Sequence, residues 1–534
     1  MTPTASESEA PLQADFIVVG AGTAGCALAA RLSENGRWRV LLLEAGGPDD
    51  HEDVQIPGRF PNLLHTAMDW DYQSAPQAGL KGRRVPVPRG KLYGGSSSIN
   101  SMVYQRGHPA CFDEWAALGN TGWSYADLLP FFRKSQHQAR GESPHHGVDG
   151  PVHVSDLRDP NPLSLVFVAA AQQAGLRPNP DFNDGEQEGC GLVQVTQREG
   201  QRSSAAAYLQ PAFARPNFRA IPFAQVTALA FAGRRCRGLH FRHEGRQRQA
   251  RATREVILCG GAINSPQLLL CSGVGPAEQL RELGIAVVHD LPGVGRNLRD
   301  HVEAPVSYHC RQPVTLAAKN DPEQFELYRR ERSGLLSSSN AEACAFHRLG
   351  EDSEVPELQL HFAPNWSALD ALDLPDGHGF TLHPGVVVTH SVGDLRLQSA
   401  DPCAPPRIDP ALLDDERDLK ALLAGLRLAR RIATMPAFDP WRGAEFLPGP
   451  DLQSDDEMID YLRSFASTVY HPAGTCRMGQ DPLAVVDARL RLRGLDGLRV
   501  ADASIMPTLI NANTAAACLM IGEKAADLVL AGHA

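Results

Sequence analysis

Three glycines near the N-terminus, in the run G-A-G-T-A-G, constrain the fold more than any other feature of this sequence. The preceding residues 15–19, D-F-I-V-V, are typical of a buried parallel strand, and the alanine-rich residues that follow predict a helix ending at Gly36. Gly20 would make the tight turn, Gly22 would let a pyrophosphate approach the backbone, and Gly25 would let the helix pack on the strand. This pattern predicts an α/β fold that begins with a dinucleotide-binding unit.

A second apolar strand, W-R-V-L-L-L-E-A, ends in Glu44 and Ala45, about twenty residues beyond the last glycine of the motif. A carboxylate at that distance would accept hydrogen bonds from the two hydroxyls of a ribose. It would also repel a 2′-phosphate, so the pattern disfavours NADP. The motif alone leaves NAD and FAD open.

The charge pattern excludes a nucleic-acid surface. The chain of 534 residues carries a net charge of −11, its few lysines are scattered, and its arginines are interspersed with acidic residues. Its eleven cysteines occur singly, without the clustered Cys and His residues of a zinc site. We therefore expect neither a metal nor a disulfide framework.

No segment has the pattern of a signal peptide or a membrane span. The first fourteen residues are polar and slightly acidic, which predicts a frayed tail. Val256–Ala277 and Ala503–Gly522 are uncharged, but Gly, Pro or Asn residues interrupt both, so we interpret them as buried core. We expect a cytoplasmic protein without a transmembrane span, for which peripheral contact with the inner face of a membrane stays open.

A second ligand-binding stretch is predicted at residues 88–107, P-R-G-K-L-Y-G-G-S-S-S-I-N-S-M-V-Y-Q-R-G. Its glycines and serines offer many backbone donors and few bulky side chains, which suits close approach to a flat or anionic ligand. Taken alone, such a stretch is more often a simple loop.

Six blocks of the sequence together resemble the glucose–methanol–choline (GMC) oxidoreductase family, and they occur in the family's order. They are G-A-G-T-A-G, R-G-K-L-Y-G-G-S-S-S-I-N, C-G-G-A-I-N-S-P-Q-L-L-L-C-S-G-V-G-P, H-P-A-G-T-C-R-M-G, G-L-R-V-A-D-A-S-I-M-P-T and N-A-N-T-A-A-A. Members of this family are FAD enzymes that oxidise alcohols. The sequence most resembles the bacterial alkanol and choline dehydrogenases.

The resemblance implies two domains. A Rossmann-like FAD-binding domain of the GMC type would be discontinuous, and a sheet-and-helix cap with an α+β fold would cover the substrate. The FAD-binding domain would comprise residues 1–155, 205–305 and 465–534, and the substrate-binding cap residues 156–204 and 306–464. Residues 414–433 predict an amphipathic helix in the cap.

The resemblance also assigns residues to the cofactor. Val226 would contact adenine through its backbone, and Asp502 with Ala503 would lie near the pyrophosphate and ribityl. Ile99 stands where family members with a covalent flavin carry histidine, so FAD is expected to be non-covalent. The full set of expected FAD-binding residues is Gly20, Gly22, Thr23, Ala24, Gly25, Glu44, Ala45, Arg89, Gly90, Gly94, Ser96, Asn100, Val103, Val226, Asp502, Ala503, Asn513 and Thr514.

His471 is the predicted catalytic residue. Oxidising an alcohol removes a hydride from carbon, which flavin N5 would accept, and a proton from oxygen, which a fixed neutral imidazole can accept. Pro472 and Gly474 restrict the turn that would present His471, and the family's proton acceptor falls on this position. His471 is therefore expected to be the general base.

Asn513 is its predicted partner. By the resemblance it would donate a hydrogen bond to the substrate oxygen. Asn513 is also a natural N-cap for a helix over residues 514–530, and the two roles are compatible. Such a helix would aim its positive end at the flavin and stabilise the charge of its reduced form.

The substrate is less constrained. Glu342 resembles a carboxylate position of choline-oxidising relatives, and Tyr470 could form one wall of an aromatic cage around a quaternary ammonium. Alkanol enzymes resemble the same stretch, so we favour an uncharged primary alcohol, with electrons passed to a quinone or another acceptor. Choline oxidation to betaine aldehyde is the alternative, and a third is an FAD-containing hydroxynitrile lyase, which cleaves cyanohydrins without redox chemistry.

Overall fold

The computed structural model describes residues 11–367 and 374–533. A seven-stranded sheet, here called the N-terminal sheet, combines strands from the N-terminal half with one strand near the C-terminus. Its first strand begins at Leu12, so Leu12–Ala14 belong to the sheet and the predicted frayed tail is wrong for these residues. Residues 1–10 lie outside the described part. The strands of this sheet are Leu12–Val19, Val40–Leu43, Phe218–Ile221, Gln225–Ala232, Arg235–His243, Arg246–Leu258 and Leu498–Val500.

The centre of this sheet is parallel. Leu12–Val19 pairs in parallel with Val40–Leu43 on one side and Arg246–Leu258 on the other. The helix Thr23–Ser33, here the nucleotide helix, connects the first two strands and ends three residues before Gly36. The α/β architecture with a dinucleotide-binding unit is thereby confirmed.

An eight-stranded antiparallel sheet, here the cap sheet, forms the second layer. The helix Glu416–Ala433 covers it, and buries Leu422 and Leu426. This helix matches the amphipathic pattern of residues 414–433. The strands of the cap sheet are Gly189–Leu192, Val302–Glu303, Val306–Cys310, Ala343–His347, Leu358–Ala363, Gly379–Val386, Arg442–Leu447 and Ser467–Thr468.

The remaining helices, 3₁₀ turns and short strands lie outside the two large sheets. The remaining α-helices are Glu52–Gln55, Pro109–Ala117, Tyr125–Ser135, Pro162–Gln173, Leu209–Ala212, Gly261–Cys271, Ala277–Glu282, Pro322–Glu331, Asp455–Phe465 and Ala515–Gly532. The 3₁₀ turns are Pro57–Leu63, Ala78–Leu80, Gly95–Ser98, Ala205–Tyr208, Leu316–Asn320, Leu335–Ser337, Pro436–Phe438 and Ala503–Ile505. The small strands are Tyr72–Gln73, Pro86–Val87, Gln136–Gln138, Val152–Asp156, Gln194–Val195, Gln197–Arg198, Gln201–Arg202, Val274–Gly275, His289–Asp290, Arg296–Leu298, Gly393–Arg396 and Arg407–Asp409.

Two large hydrophobic cores follow the two sheets. The core of the N-terminal sheet draws on residues from Ala14 to Val529, and it includes Leu395 and Ile408 from within the range predicted for the cap. The core of the cap sheet lies between Leu80 and Ala466. The domain bounds given above stay a prediction.

The helix Ala515–Gly532, here the C-terminal helix, packs directly on the nucleotide helix. A Cβ added at Gly522 would lie 2.4 Å from the carbonyl oxygen of Ala24, so only glycine permits this approach. Glu523 is fully buried between the helices, where it pairs with Arg31 at 2.8 Å. In the described ranges, no helix combines the length and apolar character needed to cross a bilayer.

Candidate functional site

The glycine motif opens onto a narrow cleft at the carboxyl end of the parallel strands. The cleft has a volume of about 100 Å³, and Gly20, Gly22, Glu44, Ala45 and Val226 line it, as predicted for a nucleotide. We call it the nucleotide cleft.

Glu44 is held by the backbone at the end of the second strand. Its Oε2 accepts a hydrogen bond from the Ala21 amide at 2.7 Å, and its Oε1 accepts one from the Gly46 amide at 2.9 Å. Burial raises the pKa of this carboxyl to about 7, although both amides favour the ionised form. Each oxygen keeps a second lone pair, which is what two ribose hydroxyls require.

Gly22 is the position that tests whether a nucleotide fits. A Cβ added there would meet nothing closer than the Cys259 carbonyl oxygen at 3.8 Å, so the protein's own packing does not require glycine. The added methyl would instead occupy the cleft beside the N-terminus of the nucleotide helix, which Gly22 caps without any side-chain hydrogen bond. A bare backbone at a helix N-terminus fits a pyrophosphate.

Gly25 and Gly94 serve packing, and neither lines the cleft or the cavity beside it. A Cβ at Gly25 would lie 2.0 Å from the Gly20 carbonyl oxygen, so glycine is required for contact between helix and strand. Gly94 has a φ of +85° and donates from its amide to the Ala21 carbonyl at 2.8 Å. Both residues therefore support the backbone that forms the nucleotide cleft and do not line the cleft themselves.

A larger cavity of about 330 Å³, here the central cavity, continues from the nucleotide cleft toward the cap sheet. The two share Gly22, Gly90, Cys259 and Gly260 among their walls, so they form one continuous site. The predicted residues that line the central cavity are Thr23, Ala24, Arg89, Gly90, Ser96, Asn100, Val103, Tyr470, His471, Asp502, Ala503, Asn513 and Thr514. Ile99 lines it as well.

Asp502 joins its own turn to the beginning of the helix Gly261–Cys271 at the junction of cleft and cavity. Its Oδ2 accepts hydrogen bonds from the Gly261 amide at 2.9 Å and the Ser265 hydroxyl at 2.6 Å, and its Oδ1 accepts one from the Ser504 amide at 2.8 Å. Burial raises the pKa of this carboxyl, and the hydrogen bonds oppose that shift. Asp502 thus fixes the backbone that forms the floor of the cavity.

His471 lies at the far end of the central cavity with both ring nitrogens engaged. Its Nε2 lies 3.2 Å from Nδ2 of Asn513, and its Nδ1 lies 2.9 Å from Nδ1 of His301. Burial, followed by the neighbouring His301, His361 and Arg89, lowers the pKa of His471 well below its usual range. The ring is therefore neutral at pH 7, the state that a general base requires.

His301 and Asp300 support His471 and were missed by sequence reasoning. Oδ1 of Asp300 accepts from the amides of His301 at 2.9 Å and His471 at 2.8 Å, and its Oδ2 accepts from the Thr468 hydroxyl at 2.5 Å. The only signal in the sequence is an Asp-His pair just before a short strand, which has no periodic or motif context.

Asn513 does not cap the C-terminal helix. That helix begins at Ala515, and Thr514 occupies the N-cap without a side-chain hydrogen bond, so the predicted capping role is wrong. The Asn513 side chain instead faces His471 with Nδ2 and accepts from Nε2 of Gln359 with Oδ1, at 3.1 Å. An amide with both ends bound to other side chains is unavailable to the backbone of the helix.

Three titratable side chains that the sequence did not reveal line the wall formed by the cap sheet. Glu303, His361 and His383 all line the central cavity, and Glu303 Oε1 lies 3.5 Å from His383 Nδ1. Burial raises the pKa of Glu303 to about 8 and lowers that of His383 to about 3. Burial also lowers the pKa of His361 to about 4. At pH 7 this wall is polar but uncharged.

Glu342, the predicted substrate carboxylate, is not brought to the cavity. It is fully buried, and its carboxylate accepts hydrogen bonds from the Asn161 amide at 2.7 Å, the Ser164 hydroxyl at 2.7 Å and the Ser338 hydroxyl at 2.6 Å. These bonds hold Glu342 inside the cap as a structural residue. Tyr470, by contrast, lines the cavity as predicted for a substrate contact.

One group of potential metal ligands lies near the mouth of the site. The ligand atoms of His65, Asp69 and Asp71 all fall within 4.8 Å of one another. His65 Nδ1 already lies 2.6 Å from Asp71 Oδ1, as in an ordinary exposed His–Asp pair. Nothing else in the described residues marks this group as a metal site.

Comparisons with known proteins agree with this geometry. The GMC oxidoreductase family model matches residues 14–303 with its N-terminal part and residues 389–522 with its C-terminal part. The chain is 43% identical over 526 residues to "Alcohol dehydrogenase [acceptor]" of Pseudomonas putida, a match that covers 97% of this chain and 95% of that protein. It is 41% identical over 534 residues to "Oxygen-dependent choline dehydrogenase" of Brucella suis, covering 97% and 96% of the two.

Two solved structures share the whole fold. Pyridoxine 4-oxidase from "Mesorbium loti" superposes with a TM-score of 0.89 at 34% identity, over 97% of this chain and 99% of that one. Formate oxidase of Aspergillus oryzae superposes with a TM-score of 0.93 at 28% identity, over 98% and 99%. The chain belongs to the GMC oxidoreductase family.

It is an FAD-dependent oxidoreductase that acts on CH–OH donors. The cofactor fits the two joined pockets: Glu44 and Val226 would hold its adenosine half, and Gly22 with the nucleotide helix its pyrophosphate. Asp502, Ala503, Asn100 and Val103 lie where the cavity widens toward His471.

Proposed function

We propose that the protein oxidises a primary alcohol to the aldehyde with His471 as the general base, and passes the electrons to a quinone or another acceptor. The observation that carries this proposal is the pairing of His471 Nε2 with Asn513 Nδ2, 3.2 Å apart, on the wall of the central cavity. One of these atoms is a base and the other a donor, as an alcohol oxygen requires.

An alcohol oxygen that binds both Nε2 of His471 and Nδ2 of Asn513 would take the place of the direct contact between these two atoms. Its hydroxyl would donate to Nε2 of His471, and Nδ2 of Asn513 would donate to the oxygen and stabilise the negative charge that develops there. His471 then accepts the proton as the carbinol C–H bond breaks. FAD, when bound, supplies the acceptor for the hydride.

His301 and Asp300 restrict the movement of the base. Asp300 accepts from the backbone amide of His471, and His301 contacts the Nδ1 side of its ring, so Nε2 stays turned to the cavity. This arrangement contributes orientation, and a well-positioned general base accelerates such a step by about 10²–10⁴-fold.

The pKa of His471 predicts the pH dependence. A histidine with a lowered pKa keeps its unprotonated form at pH 6.5 and loses it only at more acidic pH. We therefore expect the rate of flavin reduction by an alcohol to be flat from pH 6.5 upward as far as His471 is concerned. A loss of rate centred at pH 6.5 or higher would contradict a buried neutral base.

A panel of alcohols tests the function directly. The holoenzyme is mixed anaerobically with primary alcohols of increasing length and with choline, and loss of the visible flavin absorbance reports hydride transfer. Turnover is then compared in air and with a quinone analogue, which separates oxygen from another acceptor. The name of the relative "Alcohol dehydrogenase [acceptor]" supports an acceptor other than oxygen. Cleavage of a cyanohydrin without bleaching by any alcohol would favour the lyase.

A second candidate, oxidation of choline, is favoured by Glu303. This buried acid lies in the wall of the central cavity, where its ionised form would balance a quaternary ammonium. Phe60 and Tyr470 also line the cavity and offer ring faces to a cation. The neutral state of Glu303 at pH 7 supports the uncharged alcohol, because a cationic substrate would first have to displace its proton.

A further inference from the structure

Two further amide side chains, Gln359 and Gln105, lie behind the wall of the central cavity, and a chain of hydrogen bonds connects them to Asn513. Nε2 of Gln359 donates to Oδ1 of Asn513 at 3.1 Å and also to Oε1 of Gln105. Gln359 lies in the strand Leu358–Ala363, and both glutamines are buried. Neither lines the cavity, so neither can contact a substrate there. Their contact with the site passes through Asn513 alone.

The direction of this chain of hydrogen bonds determines the state of the base. An amide donates only from nitrogen and accepts only at oxygen. With Oδ1 of Asn513 turned to Gln359, its Nδ2 donates to Nε2 of His471, which must then carry a lone pair. The hydrogen of the neutral ring lies on Nδ1, where it bonds to Nδ1 of His301.

The reverse direction would satisfy the same contacts and disable the base. If Asn513 turned its oxygen toward His471, Nε2 would have to carry the hydrogen. His471 would then lack a lone pair at the only ring nitrogen that faces the cavity. The orientation of one amide therefore separates an active from an inactive histidine.

The donor Nε2 of Gln359 favours the active direction, because it donates both to Oδ1 of Asn513 and to Oε1 of Gln105. Burial lowers the pKa of His301 to about 3, so its ring is neutral and offers one lone pair. That lone pair, on Nδ1, accepts from His471 when His471 carries its hydrogen on Nδ1.

We infer that Gln359 is a positioning residue that fixes the orientation of the Asn513 amide, and thereby keeps a lone pair on Nε2 of His471. The inference rests on the proposed role of His471 as general base. Gln359 touches neither substrate nor cofactor, and acts through Asn513.

The substitution Gln359→Glu tests this inference because its chemistry changes with pH. An ionised carboxylate can only accept, so it draws Nδ2 of Asn513 toward itself and turns the oxygen to His471. A protonated carboxyl can donate to Oδ1 and restores the original direction. We expect flavin reduction by an alcohol to be about a hundredfold slower than in the parent at pH 9, within the range of general-base effects. The rate is expected to recover as the pH falls, whereas the parent does not gain rate on acidification.

Gln187→Glu is the matched control. Gln187 is a buried glutamine whose Oε1 accepts from Nδ2 of Asn511, two residues before Asn513, at 2.7 Å. A carboxylate keeps this accepting role and loses only the longer bond from Nε2 to the Asn511 carbonyl at 3.4 Å, so the parent's pH profile is expected. Gln359→Met, which neither donates nor accepts, is expected to slow reduction about tenfold equally at all pH values.

A spectroscopic readout separates this inference from the proposed function. In ¹⁵N-histidine-labelled holoenzyme, with the His471 signals assigned by their loss in His471→Gln, ring nitrogen shifts report which nitrogen carries hydrogen. We expect hydrogen on Nδ1 in the parent and on Nε2 in Gln359→Glu at high pH. A parent-like tautomer in Gln359→Glu, or a parent-like rate in Gln359→Met, overturns the inference. Failure of every alcohol to bleach the parent's flavin overturns the proposed function instead, and leaves the tautomer measurement valid.

Discussion

The nucleotide cleft and the cap-sheet wall of the central cavity recognise ligands by opposite means. The cleft offers backbone groups and one carboxylate whose lone pairs are oriented by two amides. The wall offers three buried titratable side chains, Glu303, His361 and His383, whose pKa values are shifted by burial. The backbone donors of the cleft do not titrate, although burial raises the pKa of the Glu44 carboxyl to about 7, whereas recognition by the buried titratable groups of the wall can be retuned by a single residue.

This difference between the cleft and the wall indicates which part of the site can change substrate specificity. One cofactor serves many reactions, so a rigid backbone cradle suits it. The cap-sheet wall instead presents side chains, among them Glu303 and His383 at 3.5 Å from each other, which can change without altering the backbone. We therefore expect substitutions in the cleft to change cofactor affinity, and substitutions in the wall to change which substrate is oxidised and at which pH.

His471→Ala is expected to have the largest effect. Removing the base should slow flavin reduction by about 10²–10⁴-fold while FAD stays bound, because no predicted FAD contact is lost. Stopped-flow bleaching measures the rate, and the ratio of flavin to protein absorbance measures retention. Added imidazole should restore part of the rate by filling the vacated space. A variant that bleaches at the parent's rate would remove His471 from the mechanism.

Gly22→Ala and Gly25→Ala separate ligand contact from packing within the cleft. A methyl at Gly22 fits the apoprotein, so it should leave thermal stability unchanged and weaken FAD binding by about 1–3 kcal/mol, or about ten- to a hundredfold. A methyl at Gly25 would clash with the Gly20 carbonyl oxygen at 2.0 Å, so it should destabilise the fold itself. Flavin titration and thermal melts of the apoproteins measure the two effects, and equal effects in both variants would contradict this division.

The substitution Glu303→Gln tests how the cap-sheet wall recognises a cationic substrate. A cationic substrate binds best to ionised Glu303, so its apparent affinity should rise by up to about tenfold per pH unit until about pH 8. The substitution should abolish that dependence and leave an uncharged alcohol such as 1-butanol unaffected. Steady-state KM values for both substrates from pH 6 to 9 measure this, with Glu342→Gln as the control. If Glu342→Gln instead removed the dependence, the assignment of Glu303 to the wall would fail.

Release of FAD is the smallest effect expected. With Ile99 in place of histidine at the flavin, acid precipitation of the holoenzyme should leave all the yellow colour in the supernatant. Flavin that stays in the pellet after washing would show a covalent bond through another residue.

The same contrast explains how much could be predicted from the sequence. The part of the cleft that contains Gly20, Gly22 and Glu44 is one contiguous segment of strand, turn, helix and strand, so local spacing sufficed to predict these residues. The wall depends on the pairing of strands far apart in sequence: His361 lies opposite His383 only through the register of two antiparallel strands. Local sequence carries no signal for that register.

The wrong predictions for Glu342 and Asn513 have physical causes of the same kind. Glu342 looked like a substrate carboxylate because its local sequence does not reveal the three donors that surround it in the fold. Asn513 looked like a helix cap because asparagine is a good one. Its side chain is engaged by Gln359 and His471, both distant in sequence, and such tertiary partners override local preference.

The packing of the C-terminal helix on the nucleotide helix has a consequence for biosynthesis. The nucleotide helix is synthesised long before Gly522 and Glu523, the residues that cover it. Until then the Rossmann unit exposes an apolar face and lacks Asn513. Tight capture of the flavin is therefore expected only after these C-terminal residues have been synthesised and packed.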